Sequence, residues 1–169
     1  MHSSPTPADA APAPPPALLD REALLTRARQ LQRADAGAST PALLRGKHLG
    51  LICEAGSGDD ARLFCSAAGA LGASVARIRP SVSELGSTSG NTLQHTARVL
   101  GRLYDGIECQ GLAPALVQRL GRDAGVPVFD GLATTQHPSA ALASLLDAGD
   151  PVEKRRLLIV QAVLLCSLR

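Results

Sequence analysis

The sequence predicts an α/β fold: a three-layer αβα domain with a four-stranded parallel sheet, closed by a C-terminal helix. Two observations carry this. Short apolar, β-branched runs alternate with longer segments of helical period, the pattern of a parallel sheet covered on both faces. A final apolar segment then follows the last of these units after only a short turn.

The elements follow in order. Residues 1–17 form a Pro/Ala-rich tail with prolines at 5, 7, 12, 14, 15 and 16, which predicts a disordered or polyproline-like segment. Asp20 is placed to cap a helix reaching about Gln32, because Leu24, Leu25, Ala28 and Leu31 make one apolar stripe. Strands are predicted at 48–53, 74–78, 106–109 and 126–129, and helices at 59–71, 92–103, 113–123 and 138–146. Pro138 suits a first helical position, where its missing N–H costs nothing. A Ser/Gly loop spans 80–90. Beyond the 147–151 turn, 152–168 is predicted as an amphipathic helix with Leu157, Leu158, Gln161, Leu164, Leu165 and Leu168 along one side.

Composition narrows the function. The chain has 169 residues, enough for one domain with a real core. Aromatic residues are 2% of the chain, too few for the stacking platforms of single-stranded nucleic-acid binders. The net charge of +2 gives no partner signal, and the run Lys154-Arg155-Arg156 reads as a solvated helix end rather than a nucleic-acid or lipid patch. Cys53, Cys65, Cys109 and Cys166 form no C-x-x-C pair and sit in apolar segments, so buried free thiols in a reducing compartment are expected, with no zinc site. The longest apolar run, 157–168, is broken by Gln161 and Ser167 and is too short to span about 30 Å of hydrocarbon. With no secretory leader pattern at the N-terminus, the expectation is a cytoplasmic protein with no cofactor, no membrane and no nucleic-acid partner.

In open parallel sheets, ligands bind beyond the carboxyl ends of the strands. The residues there carry a resemblance. Leu44-Arg45-Gly46-Lys47 and Leu49-Gly50-Leu51-Ile52-Cys53-Glu54 lead to Ser57-Gly58-Asp59-Asp60-Ala61. Further along come Thr96-Ala97-Arg98-Val99-Leu100, Tyr104-Asp105-Gly106-Ile107, Gly125-Val126-Pro127-Val128, Gly131-Leu132 and His137-Pro138-Ser139-Ala140. In order and spacing these resemble the carbamoyl-phosphate half of the aspartate/ornithine carbamoyltransferases, over residues 18–147. The segment from Glu153 to Leu165 resembles that family's closing helix, which returns from the acceptor-binding domain. That domain would follow residue 147 and is not found between 147 and 152, so the sequence reads as a domain trimmed internally.

The resemblance implies a carbamoyl-phosphate pocket and shows what has changed in it. The family's Ser-Thr-Arg-Thr-Arg supplies hydroxyls, two cations and helix N–H groups to the phosphate. Here Gly58 and Asp60 stand at the threonines, and Asp59 and Ala61 at the arginines. One like-charge contact at 4 Å costs about 4 kcal/mol at a dielectric near 20, about a thousandfold in affinity. Arg62, about 100° further round the helix, should point elsewhere. Ser57 and Asp60 also make an S-x-x-D capping pattern, and acidic residues suit a helix N-terminus, so this stretch can be explained by folding alone.

On the carbonyl side, Gln110 stands at a family Arg and Ala140 at the Gln of His-Pro-x-Gln. His137 matches the family histidine that donates to the carbamoyl oxygen. A histidine before a helix-starting proline can equally bond nearby backbone. The vestigial pocket is therefore Ser57, Gly58, Asp59, Asp60, Gln110, His137 and Ala140, with no intact catalytic set. The 80–90 loop corresponds to one that brings a Lys into a neighbouring subunit's site in aspartate carbamoyltransferases, and it carries no cation here.

Three functions are compatible. One is a non-catalytic carbamoyltransferase-like protein acting through contact, as a homo-trimer or a hetero-oligomer with a full-length carbamoyltransferase. The second is an enzyme or subunit transferring the carbamoyl group to an amino acid, completed by a partner chain. The third is a small-amine binding module, favoured by Asp59, Asp60 and Gln110.

Overall fold

A computed structural model describes residues 20–37, 41–53, 58–79 and 90–168. Helix α1 spans Arg21–Ala36, strand β1 His48–Cys53, helix α2 Asp59–Ala70, strand β2 Ser74–Ile78 and helix α3 Gly90–Leu103. Strand β3 (Gly106–Gln110), helix α4 (Pro114–Ala124) and strand β4 (Val128–Asp130) follow, then a 3-10 helix (Pro138–Leu145) and helix α5 (Val152–Ser167). The N-terminal tail and the 80–90 loop, Gly90 apart, lie outside the described residues.

The four strands are parallel and ordered β2-β1-β3-β4. The chain starts in the middle of the sheet, moves outward to β2, and crosses back to β3. Strand order therefore reverses between β1 and β3, where the connections leave in opposite directions, the place at which open parallel sheets form their ligand crevice.

Alternation along β1 divides the core in two. Leu49 and Leu51 point to one face, among Leu24, Ala28 and Leu31 of α1, Phe64 and Ala67 of α2, and Leu142 of the 3-10 helix. Ile52 points to the other, with Ile107 and Cys109 of β3, Leu93 and Ala97 of α3, and Val117 and Leu120 of α4. The expected three layers are present. On this second face α3 and the end of α4 lie side by side in close contact. A Cβ at Gly101 would stand 1.7 Å from the Ala124 carbonyl oxygen, so only glycine permits that approach.

The elements sit close to their predicted places, with physical reasons for the shifts. Asp20 caps α1, its carboxylate accepting from the Glu22 N–H at 2.9 Å. The N-cap of α2 is Gly58, which has no side chain to offer; the S-x-x-D reading rests on Ser57, which lies outside the described residues. The segment after Pro138 is 3-10 rather than α, as suits a short connector. Cys109 is fully buried, whereas Cys53, Cys65 and Cys166 are only half-buried; all four are free thiols.

Helix α5 departs from its sequence reading in two ways. It is not one-sided: every residue from Leu158 to Leu164 is buried, including Ile159, Val160, Ala162 and Val163 off the predicted stripe. A helix apolar all round is one that closes a core. Gln161, only 2% exposed, meets the cost of burial by donating to the Ala67 carbonyl at 3.4 Å. Its basic start is half-exposed but engaged with neighbouring elements rather than simply solvated. Lys154 bridges Asp35 (2.7 Å) and Asp150 (2.9 Å), Arg155 donates to the Ala143 carbonyl (3.4 Å), and Arg156 reaches α2. These three side chains pin α5 to α1, the 3-10 helix and α2. Among the described residues no helix is long and apolar enough to cross a membrane.

Candidate functional site

Three chain segments meet beyond the carboxyl ends of β1, β3 and β4. The first is the start of α2. Its free N–H groups and positive dipole end favour anions, and Asp59 and Asp60 occupy its first turn. Both carboxylates are already matched by cations. Asp59 pairs with Arg62 on the exposed surface of the same helix. Asp60 lies 3.3 Å from the Arg156 guanidinium, in a half-buried contact between α2 and α5. The same Arg156 nitrogen donates to the Ala133 carbonyl at 2.7 Å, so one side chain ties α5 to both α2 and the segment after β4. The replacement of the family arginines by acids is thus tempered: two acids are present, and two guanidiniums answer them.

The second segment is the end of β3. Glu108 is 0% exposed, an acid inside an apolar strand. It is held by three donors: the Leu132 N–H (3.1 Å), the Ala133 N–H (3.4 Å) and the Gln110 amide nitrogen (3.1 Å). Burial pushes its carboxyl up to about 8, the three hydrogen bonds pulling it down and the nearby Asp130 charge adding to the rise. Burial also lifts the neighbouring Cys109 thiol far above the ordinary range, which leaves it unreactive. Gln110 shares a strand face with Glu108 and stands opposite Cys53, at the crevice between β1 and β3.

The third segment runs from β4 to the 3-10 helix. Gly131, at φ +64°, turns the chain sharply after Asp130 and lets its carbonyl accept from the Thr134 N–H (2.8 Å) and hydroxyl (2.7 Å). His137 then caps the 3-10 helix. Its Nδ1 accepts from the Ser139 N–H at 3.2 Å and lies 2.8 Å from the Ser139 hydroxyl. A ring nitrogen that accepts carries no proton, so neutral His137 holds its proton on Nε2 and is a donor there. Burial keeps the ring below its usual range and so neutral, against a weaker upward pull from Asp130. The two sequence readings of His137, backbone bonding and pocket donor, are therefore not exclusive. Ala140 contributes a backbone N–H to the His137 carbonyl (2.9 Å) and no functional side chain.

Of the residues singled out in the sequence, Gly58, Asp59 and Asp60 begin α2, Gln110 ends β3, and His137 and Ala140 follow β4; Ser57 is outside the described residues. Two residues were missed. Glu108 was signalled by an acid flanked by Ile107 and Cys109 in a strand; Arg156 was dismissed as part of a surface charge run. Among the described residues no group of His, Cys, Asp or Glu is arranged to hold a metal ion.

Comparison with known proteins gives the same frame. A family model described as "Aspartate/ornithine carbamoyltransferase, carbamoyl-P binding domain" matches residues 19–148. The ornithine carbamoyltransferase of Haemophilus influenzae strain PittGG is 42% identical over 123 residues, covering 73% of this chain and 36% of that protein. A catabolic ornithine carbamoyltransferase of Burkholderia mallei is 41% identical over 132 residues, covering 78% of this chain and 38% of that protein. Among solved structures, ornithine carbamoyltransferase from Pyrococcus furiosus superposes with a TM-score of 0.62 at 30% identity, covering 74% of this chain and 39% of that one. The chain thus spans well under half the length of the relatives it matches. With the parallel sheet, the crevice between β1 and β3 and the family model covering most of its length, the chain belongs to the aspartate/ornithine carbamoyltransferase family, as a carbamoyl-phosphate-binding domain.

Proposed function

We propose that this chain is a carbamoyltransferase-like protein without independent catalytic activity, acting through contact with other protein chains. One observation carries the reading: the acids at the start of α2 and the amide at the end of β3 are already engaged with other side chains. Asp59 holds Arg62, Asp60 holds Arg156, and Gln110 holds Glu108. A phosphate entering here would meet the Asp59 and Asp60 carboxylates and have to displace Asp60 from Arg156, and it meets Gln110 and Ala140 where the family pattern has Arg and Gln. The joining of 18–147 directly to α5 supports a domain that closes on itself without an acceptor-binding half between them. The partner in this reading is a second copy of the chain, as a homo-trimer, or a full-length carbamoyltransferase, in the cytoplasm.

Titration of carbamoyl phosphate by calorimetry tests the first part, with no heat expected up to millimolar ligand. Light scattering tests the second, alone and mixed with a full-length ornithine carbamoyltransferase. Tight carbamoyl phosphate binding, or a strict monomer that ignores such enzymes, would overturn the corresponding half.

A second reading, an enzyme subunit completed by a partner chain, is favoured by His137. Its Nε2–H remains a donor while Nδ1 is used structurally. Carbamoyl transfer in the mixture above, absent from either chain alone and abolished by His137→Ala, would establish it. A small-amine module has less support, because the carboxylates it would use are paired.

A further inference from the structure

We propose that Glu108 is a positioning residue that sets which end of the Gln110 amide faces the strand-end crevice, and so whether a ligand meets a donor or an acceptor there. This rests on the crevice between β1 and β3 being the ligand site. An ionised carboxylate has no hydrogen to give, so every group bonded to it must donate. Leu132 N–H, Ala133 N–H and the Gln110 NH2 all do. When Glu108 takes up a proton, its new O–H needs an acceptor. The two backbone donors cannot turn round. Gln110 can: a half-turn of its amide exchanges NH2 for C=O at little steric cost, since the two ends are nearly the same size.

The amide has two ends, and the one not facing Glu108 is presented outward. With Glu108 ionised, NH2 points in and the carbonyl points out. With Glu108 protonated, the carbonyl accepts its proton and NH2 points out. An outward carbonyl suits an ammonium or other donor; an outward NH2 suits a carbonyl, carboxylate or phosphate oxygen. Burial places the exchange near neutral pH, at about 8. The other ionisable groups around Glu108 are named by the same geometry. Asp130 at the end of β4 opposes ionisation, and Cys109 on β3 stays a thiol. Arg156 is bonded to the Ala133 carbonyl and paired with Asp60, and His137 near Asp130 is neutral.

The test is an NMR titration of the full chain from pH 6 to 9.5, following the Glu108 side-chain carboxyl carbon and the Gln110 side-chain NH2. Both should move with one shared midpoint. Asp130→Asn, which removes the neighbouring charge and leaves Gln110 in place, should lower both midpoints together. Glu108→Gln should leave the Gln110 resonances flat. A Gln110 signal that ignores the Glu108 transition, or midpoints that separate in Asp130→Asn, would overturn the inference even if Glu108→Gln fails to fold. No ligand is present in this measurement, so failure to bind carbamoyl phosphate bears on the proposed site and not on the coupling.

Discussion

Raising the pH through neutrality should destabilise this protein, and Glu108 is the reason. Its carboxyl moves from an ordinary value of 4.5 to about 8 on folding. Between those values the unfolded chain has released the proton and the folded chain still holds it. Stability then falls as pH rises, by at most about 1.4 kcal/mol per pH unit, and levels off above about 8. Summed over the window, the upper bound is about 5 kcal/mol, a large share of the stability of a domain this size. His137 works the other way: held neutral by burial, it adds stability as pH rises toward its ordinary 6.5. Free thiols enter only toward pH 9. The clean window is therefore pH 7 to 8.5. Urea unfolding there should show a loss of about 1–2 kcal/mol in the wild-type chain. In Glu108→Gln the slope should vanish, whatever the absolute stability of the variant. A wild-type profile that is flat or rising between pH 7 and 8.5 would refute the reasoning, because it would mean that Glu108 is already ionised in the fold at pH 7.

Three other outcomes follow from the packing. Gly101→Ala would ordinarily strengthen a helix by up to about 1 kcal/mol, but its Cβ would stand 1.7 Å from the Ala124 carbonyl oxygen; thermal melting should show a loss of about 2–3 kcal/mol instead. Arg156→Met keeps the aliphatic stem but leaves Asp60 and the Ala133 carbonyl without their shared donor, and urea denaturation should register about 1–3 kcal/mol of lost stability. Asp20→Ala removes the N-cap bond of α1 and should cost about 1 kcal/mol, read as faster amide exchange in the first turn of α1 and a small fall in Tm.

Much of the sheet was legible because its signals are local. His48–Cys53 and Ser74–Ile78 emerge with their predicted bounds, since a run of apolar and β-branched residues between turn signals leaves little choice. The carboxyl ends of the strands were legible as the place for a ligand, but the order β2-β1-β3-β4, which puts the reversal between β1 and β3, came only with the structure. What escaped depends on contacts distant in sequence. Arg156 meets Asp60 across 96 positions, and nothing in Lys154-Arg155-Arg156 itself distinguishes a half-buried staple from a solvated end. The all-round burial of α5 follows from which elements happen to surround it: α1 and α2 on one side and the 3-10 helix on another. Glu108 was missed because attention fell on residues just past the strand ends, while this acid lies within β3, two residues before Gln110.

Helix α5 also sets an order of events. The larger core joins Leu24, Ala28 and Leu31 of α1 to the stretch from Leu158 to Leu164, residues more than a hundred positions apart. During synthesis, the sheet and its α3–α4 face can assemble while α1 and α2 still lack their covering helix. The apolar surface they would share with α5 stays wet until 158–164 leave the ribosome. Closing so long a loop is slow, and a half-finished layer of Leu, Ala and Phe is what chaperones recognise and what aggregates. The yield of this protein in a cell is thus expected to hinge on this late closure of the larger core, and substitutions in 158–164 should show up first as insoluble product.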